Sequence, residues 1–237
     1  MGLLTKKQYS YLADPIFLQR YLSILNSRLV YNNNRIELNN EEIDQLYDHA
    51  NILSLDDNLK AFNVILSKLN EKGDKRITQE LIKTIANIIN EHAIYISNNY
   101  RTISDNTKLK DKYPIEKASN IEPKMKELLD NYYYKWNNLD IFEREALFNI
   151  EFLRIHPFDD GNGRTSRLIL NYNLFLNGHA PVLIPPNKRE EYFDARNRQD
   201  VNWIKNLFEE ESTKELKALD KLIESYELEK KQPKHKR

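Results

Sequence analysis

The sequence contains no cysteine and only five glycines in 237 residues. The lack of cysteine excludes disulfides and thiolate metal sites. Lysine plus arginine equals aspartate plus glutamate, at 36 each, which argues against a general nucleic-acid binder. No apolar run approaches membrane-spanning length, and the first ten residues do not resemble a signal peptide. We therefore expect a cytoplasmic protein that binds neither a membrane nor nucleic acid, with export by another route left open.

What the chain does contain is typical of a soluble globular protein. Hydrophobic residues make up 40% and charged residues 30% of the sequence, and its length suits one large domain or two small ones. The high content of Asn, Lys and Ile indicates an AT-rich bacterial genome. Most segments carry apolar residues at helical spacing, which predicts an all-α fold.

Helix boundaries are marked by capping residues. Asp14 followed by Pro15, Thr78 and Asp140 each stand where a helix is predicted to begin, and Gly178 stands where one is predicted to end. A further helix start is predicted at Asn40. The periodicity is interrupted from about residue 98 to 124, where β-prone pieces predict an irregular insertion that carries a short hairpin.

One segment concentrates groups with chemical potential. The stretch HPFDDGNGRTSR, residues 156–167, contains two of the five glycines, on either side of Asn162. It is predicted to turn between two helices, and the exposed backbone amides of such a turn form a cradle for an anion. Arg164 and Arg167 are three residues apart at the start of the second helix. Because guanidinium groups match phosphate oxygens, this arrangement indicates a polyphosphate ligand.

Two further side chains extend this interpretation. Asp160 precedes the cradle and could bind a hard divalent cation such as Mg²⁺ together with phosphate oxygens. His156 is the one nearby side chain whose type has an ordinary pKa near neutrality, which makes it the obvious general base. A base, a metal carboxylate, an amide cradle and two arginines are the parts that transfer from a nucleoside triphosphate requires. The plain alternative, a capped corner between helices with solvated arginines, leaves these fixed offsets unexplained.

The stretch HPFDDGNGRTSR resembles the signature of the Fic (Fic/Doc) family at every defined position, His-x-Phe-x-Asp/Glu-Gly-Asn-Gly-Arg-x-x-Arg. The helical pattern resembles the family's fold from about residue 78 to 211. This resemblance implies a Fic-type helical bundle in which a short β-hairpin flap, here from about residue 100 to 115, clamps the target strand. It also implies AMPylation, the transfer of AMP from ATP to a hydroxyl of a target protein in the presence of Mg²⁺.

The resemblance also implies a role for each matching residue. His156 would deprotonate the target hydroxyl, Asp160 would bind Mg²⁺, and Phe158 would anchor the loop in the core. The anion hole and the contacts to the β- and γ-phosphates would be formed by Gly161, Asn162, Gly163, Arg164 and Arg167.

A second stretch, YNNNRIELNN, resembles the inhibitory helix that many Fic proteins carry before the catalytic core. In those proteins a glutamate of the helix pairs with the last arginine of the signature and prevents productive ATP binding. Glu37 would be that glutamate and Arg167 its partner. The chain departs from the pattern at Asn33, where the family has Ser or Thr, and at Leu38, where it has Gly or Asn.

We therefore predict an inhibitory N-terminal region (residues 1–75), a catalytic core (76–211) and a C-terminal helix with a basic tail (212–237). The predicted enzyme is a self-inhibited adenylyltransferase that binds ATP and a hydroxyl-bearing target protein, with self-modification and homo-oligomerisation left open. Three alternatives also remain open: another nucleotide-dependent transfer on the same scaffold, removal of AMP with Glu37 positioning water, and a toxin-like interaction module.

Overall fold

The computed structural model describes residues 3–37, 49–92, 99–102 and 115–231, with backbone alone for 49–54. Within these ranges the chain forms α-helices and short 3₁₀ and π turns but no β-strand, which confirms the all-α prediction. The predicted hairpin lies almost entirely outside the described residues, as do Leu38 and the helix start at Asn40. The helices are α1 (Lys6–Leu12), α2 (Pro15–Glu37), α3 (His49–Asn70), α4 (Gln79–Ile89), α5 (Ile121–Asp130), α6 (Ile141–Ile155), α7 (Asn162–Leu176), α8 (Arg189–Asn197) and α9 (Val201–Lys231).

The predicted capping residues occupy the helix ends. The Oδ1 atom of Asp14 accepts from the backbone N–H of Ile16 at 3.0 Å, directly before Pro15. Thr78 caps α4 and Asp140 caps α6 in the same manner. Gly178 follows α7 with φ of 72°, a left-handed conformation that costs glycine little. Local capping therefore sets these boundaries.

Helix α7 is the centre of the fold. Twelve of its fifteen residues are buried, and α2, α3, α4 and α6 all pack against it. Its apolar side chains Leu168 and Ile169 belong to the main hydrophobic cluster. Because an apolar surface on every side must be covered by other elements, the helix is fixed on all sides. The first two turns of α7, which carry both arginines of the motif, are thus held by the core.

Helix α9 connects α1 and α2 with α6, since it packs along α6 and also contacts α1 and α2. It runs without a break through the boundary predicted at residue 211, and the three-part division of the chain stays a prediction. None of the helices in the described ranges is both long and apolar enough to cross a membrane.

Candidate functional site

His156 lies at the point where α6 ends. Its backbone N–H donates to the carbonyl of Phe152 at 2.9 Å, and its φ and ψ of 51° and 61° are left-handed. In the described part of the chain only one other non-glycine residue, Gln199, has positive φ. A left-handed residue ends the helix abruptly, so the chain turns at the imidazole itself.

Arg101 stabilises this left-handed turn by donating hydrogen bonds to backbone carbonyls. Its Nε atom donates to the His156 carbonyl at 2.7 Å, and Nη2 donates to the carbonyls of Ile155, at 3.3 Å, and Glu116. Its backbone N–H donates to Pro157 at 2.9 Å. The side chain is 2% exposed, so these bonds fix a buried cation at the carboxyl end of α6. Sequence reasoning did not find Arg101, because no local pattern connects it with a histidine 55 residues away.

The same contacts attach the segment predicted as the flap to the site. Arg101 lies at its start and Glu116 just beyond its end, and the backbone N–H of Glu116 donates to the Arg154 carbonyl at 3.2 Å. Both ends of the segment therefore meet the last turn of α6, beside His156.

The loop after His156 is fixed by its own side chains. The amide of Asn162 accepts from the Phe158 N–H at 2.9 Å and donates to the Phe158 carbonyl at 2.8 Å. The ring of Phe158 is buried against Tyr100 and Phe152, as expected for a core anchor. Asn162 therefore uses its side chain to close the loop, and its own backbone N–H is not needed for this closure.

Gly161 has φ of 74° and lies against Asn90, a residue at the end of α4. A Cβ atom at Gly161 would approach the Asn90 amide to 2.7 Å, so this position needs glycine for space as well as for conformation. Asn90 donates to the Asp160 carbonyl at 3.0 Å and accepts from Arg164 at 3.4 Å. It is a second supporting residue that the sequence did not reveal.

Asp160 points outwards, with 71% of its side chain exposed. Oδ1 accepts from the Gly161 N–H at 2.6 Å, and Oδ2 lies 3.4 Å from Nη2 of Arg164. An accessible carboxylate beside an arginine-rich helix terminus fits a Mg²⁺ ion that takes its remaining ligands from phosphate and water.

Arg167 is buried at the base of the site and is held by α2. Its Nη2 atom lies 2.5 Å from Oε1 of Glu37, and Nε and Nη2 donate to the side chain and the carbonyl of Asn33 at 2.5 and 3.0 Å. The structure thus brings Glu37 to the arginine that the sequence assigned to it. A Cβ atom at Gly163 would overlap with Oε1 of Glu37, so the missing side chain makes room for this carboxylate.

Cations dominate the electrostatics around Glu37. Desolvation raises the pKa of Glu37, but the guanidinium groups of Arg167, Arg164 and Arg196 outweigh it and hold that pKa below its usual value. The desolvation is incomplete, because 39% of the Glu37 side chain still reaches solvent. The carboxylate is thus ionised at neutral pH, and Arg196 on α8 joins the site without a sequence signal.

His156 is affected in the opposite sense. Desolvation, with smaller contributions from the positive charges of Arg101 and Arg196, lowers the pKa of the imidazole to about 4. The ring is consequently neutral at pH 7, the form that can accept a proton.

A separate group of potential metal ligands lies at the end of α4. Asp57, Glu91 and His92 bring one ligand atom each within 4.8 Å of the others. The imidazole Nδ1 atom of His92 lies 2.7 Å from Asp57, and Glu91 pairs with Lys60 at 2.9 Å. These partners account for the cluster as a structural link between α3 and α4.

Comparison with known proteins identifies this region. Residues 69–174 match the Fic/DOC family model. The chain is 44% identical over 55 residues to "Protein adenylyltransferase fic-1" of Caenorhabditis elegans, which covers 23% of this chain and 11% of that protein. It is 50% identical over 48 residues to "Protein adenylyltransferase Fic" of Drosophila melanogaster, a match that covers 20% of this chain and 10% of that protein. The chain thus aligns with about a tenth of the length of these curated relatives.

Solved structures agree with the family at the level of the fold. A Fic domain containing signaling protein from Bacteroides thetaiotaomicron superposes with a TM-score of 0.70 at 20% identity, over 91% of this chain and 97% of that one. Fic-1 from C. elegans superposes with a TM-score of 0.67 at 19% identity, over 96% and 68%. The family model and the relatives agree on one conclusion: residues 69–174 of this chain match the Fic/DOC family, and the solved structures show that the chain shares the fold of Fic domain proteins.

Proposed function

We propose that the chain is a protein adenylyltransferase that transfers AMP from ATP to a hydroxyl group of a target protein. The observation that carries this proposal is the arrangement at one end of α7: a neutral imidazole, a fixed turn of backbone amides and two buried arginines. The names of the relatives support the same activity. Location in the cytoplasm, as expected from the sequence, belongs to this proposal.

In the proposed reaction His156 accepts the proton of the target hydroxyl. The hydroxyl oxygen then forms a bond to the α-phosphorus of ATP. The bond from that phosphorus to the oxygen bridging the α- and β-phosphates breaks, and pyrophosphate leaves. A pKa of about 4 keeps the imidazole unprotonated and ready for this role at neutral pH. Arg101, bonded to the His156 carbonyl, holds the base where the chain turns.

The charge on the triphosphate would be balanced by the motif. Arg164 and Arg167 would bind the β- and γ-phosphates. The turn of Gly161, Asn162 and Gly163 would bind the anion through the backbone N–H groups of Asn162 and Gly163, since the Gly161 N–H donates to Asp160. Asp160 would hold Mg²⁺, which supplies charge neutralisation to the phosphate oxygens when bound. Because Asn162 already bonds to Phe158 with both side-chain groups, we assign it the anion through its backbone alone.

Glu37 would keep this enzyme inactive. Its carboxylate occupies Nη2 of Arg167, a donor that a phosphate oxygen needs. It also places negative charge where the γ-phosphate would lie, which raises the cost of ATP binding. Activity therefore requires that the end of α2 move away from Arg167.

The test compares the wild type with Glu37→Gly, each incubated with α-labelled ATP, Mg²⁺ and host lysate. We expect label in target proteins, or in the enzyme itself, to rise at least about tenfold in the variant, since a charged hydrogen bond is removed. The exposed acid Glu122 on α5 provides the control, because Glu122→Gly changes charge without touching the site. Equal and negligible incorporation in all three proteins contradicts the proposal.

Mass spectrometry of the modified protein separates the related reactions. Addition of AMP supports the proposal, whereas addition of UMP or phosphate indicates another transfer on this scaffold. Loss of AMP from a modified target, in the wild type but not in Glu37→Gly, would indicate hydrolysis with Glu37 positioning the water. The partial exposure of the Glu37 carboxylate is the observation that keeps this last reaction in the experiment.

A further inference from the structure

Arg167 offers its nucleotide-binding edge to α2 at more than one place. A guanidinium binds phosphate most strongly with the parallel donors Nε and Nη2. In this structure Nη2 donates to Glu37 and to the Asn33 carbonyl, while Nε donates to the Asn33 side chain at 2.5 Å. Both donors of that edge are therefore occupied, and removing the glutamate alone releases only part of it.

Asn33 is itself fixed. It is 4% exposed, and its Nδ2 atom donates to Oδ1 of Asn58 on α3 at 3.0 Å. Asn58 in turn donates to Oδ1 of Asn34 at 2.7 Å. Because these amides are buried and bonded to one another, the Asn33 oxygen is aimed at Nε by a rigid network rather than by a flexible chain.

We propose that Asn33 is a second brake on ATP binding, in addition to Glu37. Its side chain occupies Nε of Arg167 and so withholds that donor from the nucleotide even after Glu37 has been removed. Full activation then requires the α2 backbone to withdraw, carrying Asn33 with Glu37, and not only rotation of the glutamate side chain. The proposal deepens the proposed function and rests on it for the identity of the ligand, ATP.

The test measures the Kd of ATP in the presence of Mg²⁺ by titration calorimetry, with all variants built in the Glu37→Gly protein. Asn33→Ala removes the bond to Nε and leaves the backbone carbonyl in place. We expect it to tighten ATP binding about tenfold over Glu37→Gly, the effect of losing one hydrogen bond to a charged group. Asn34→Ala is the matched control, since it removes a bond to the same Asn58 and lies one residue further along α2.

A second variant pushes in the opposite direction. Asn33→Asp presents a carboxylate to Arg167 and is expected to restore inhibition in the Glu37→Gly protein, weakening ATP binding about tenfold. Asn34→Asp should leave the Kd unchanged. A role in folding alone cannot produce opposite effects from two substitutions that both break the bond to Asn58, and thermal unfolding checks that each variant is folded.

Binding and transfer are read separately, so that the two proposals can fail independently. If Asn33→Ala leaves the Kd unchanged or raises it, Asn33 does not compete with the nucleotide for Arg167 and the second brake is refuted. If the Kd responds as expected but α-labelled ATP yields no protein-bound AMP in any variant, the brake stands and the adenylyltransferase assignment fails.

Discussion

The motif (residues 156–167) and the junction between α2 and Arg167 are held in place by different kinds of contact. The motif fixes its loop with contacts that span a few residues, such as the Asn162 amide on the Phe158 backbone. The junction joins groups 130 and 134 residues apart in the chain, Glu37 and Asn33 with Arg167. Local contacts re-form whenever the segment folds, whereas distant ones depend on how two helices dock. Under the proposed function, the catalytic loop is therefore held by lasting local contacts, and inhibition depends on contacts that undocking of α2 would break.

The largest effect is expected from the base of the motif. In the Glu37→Gly protein, His156→Ala should lower AMP transfer by at least about 100-fold, because general base catalysis typically contributes that much. The Kd of ATP should change by less than about twofold, since the imidazole is not assigned to the phosphates. His92→Ala, at the end of α4, is the control histidine. Retained transfer in His156→Ala would remove the base from the mechanism.

The hydrogen bonds within the motif are expected to contribute to the free energy of unfolding. Asn162→Ala leaves two buried backbone groups of Phe158 without partners, so we expect a loss of about 2 kcal/mol in the free energy of unfolding. Urea denaturation measures this loss. The exposed Asn137, between α5 and α6, gives the control Asn137→Ala, expected to change stability by less than about 0.5 kcal/mol. Equal losses in both variants would show that the loop is not held by the Asn162 amide.

Gly163 connects the two regions. Gly163→Ala should force Glu37 away from Arg167, since the added Cβ atom would overlap with Oε1 of Glu37. We expect the substitution to destabilise the wild type by about 1 kcal/mol but not the Glu37→Gly protein. A double-mutant cycle of unfolding free energies measures this coupling. Additive effects would mean that the carboxylate does not lie over the first turn of α7.

A smaller effect is expected where α2 ends. Arg189 on α8 donates from Nε to the Ile36 carbonyl at 2.8 Å, one residue before Glu37. Arg189→Ala should loosen that end and raise transfer by the inhibited wild type about threefold, in line with a cation at a helix carboxyl terminus. The Glu37→Gly protein should not respond, and Arg198→Ala, exposed near the same helix, is the control. An equal gain in the Glu37→Gly protein would mean that Arg189 acts elsewhere.

The smallest effect is expected from pH. Because the pKa of His156 is lowered to about 4, the neutral form persists as the pH falls, and kcat/KM should stay flat on the acid side of neutrality. Glu37 raises the pKa of this imidazole, so its removal lowers that pKa further and extends the plateau. We expect less than a twofold change in kcat/KM for Glu37→Gly between about pH 8 and pH 5.5. A tenfold fall across this range would indicate an imidazole with an ordinary pKa.

Much of the motif could be predicted from the sequence because its contacts are local. The capped helices and the glycine turn follow from residue type at short spacing, whereas the left-handed conformation of His156 was not predicted. The position of Glu37 required the family resemblance, since nothing in a single acidic residue specifies a partner 130 residues away. Arg101, Asn90 and Arg196 could not be predicted, because each reaches the site only through the packing of another helix or loop.

Gly163 limits how the regulation of this protein can diverge. The space above it is filled by the Glu37 carboxylate in this structure, and under the proposed mechanism the nucleotide needs the same space when the enzyme is active. A larger residue there would alter both states together, so selection cannot adjust inhibition at this position without also changing ATP binding. Under the same mechanism, variation that adjusts inhibition alone is expected in α2, for example at Asn33.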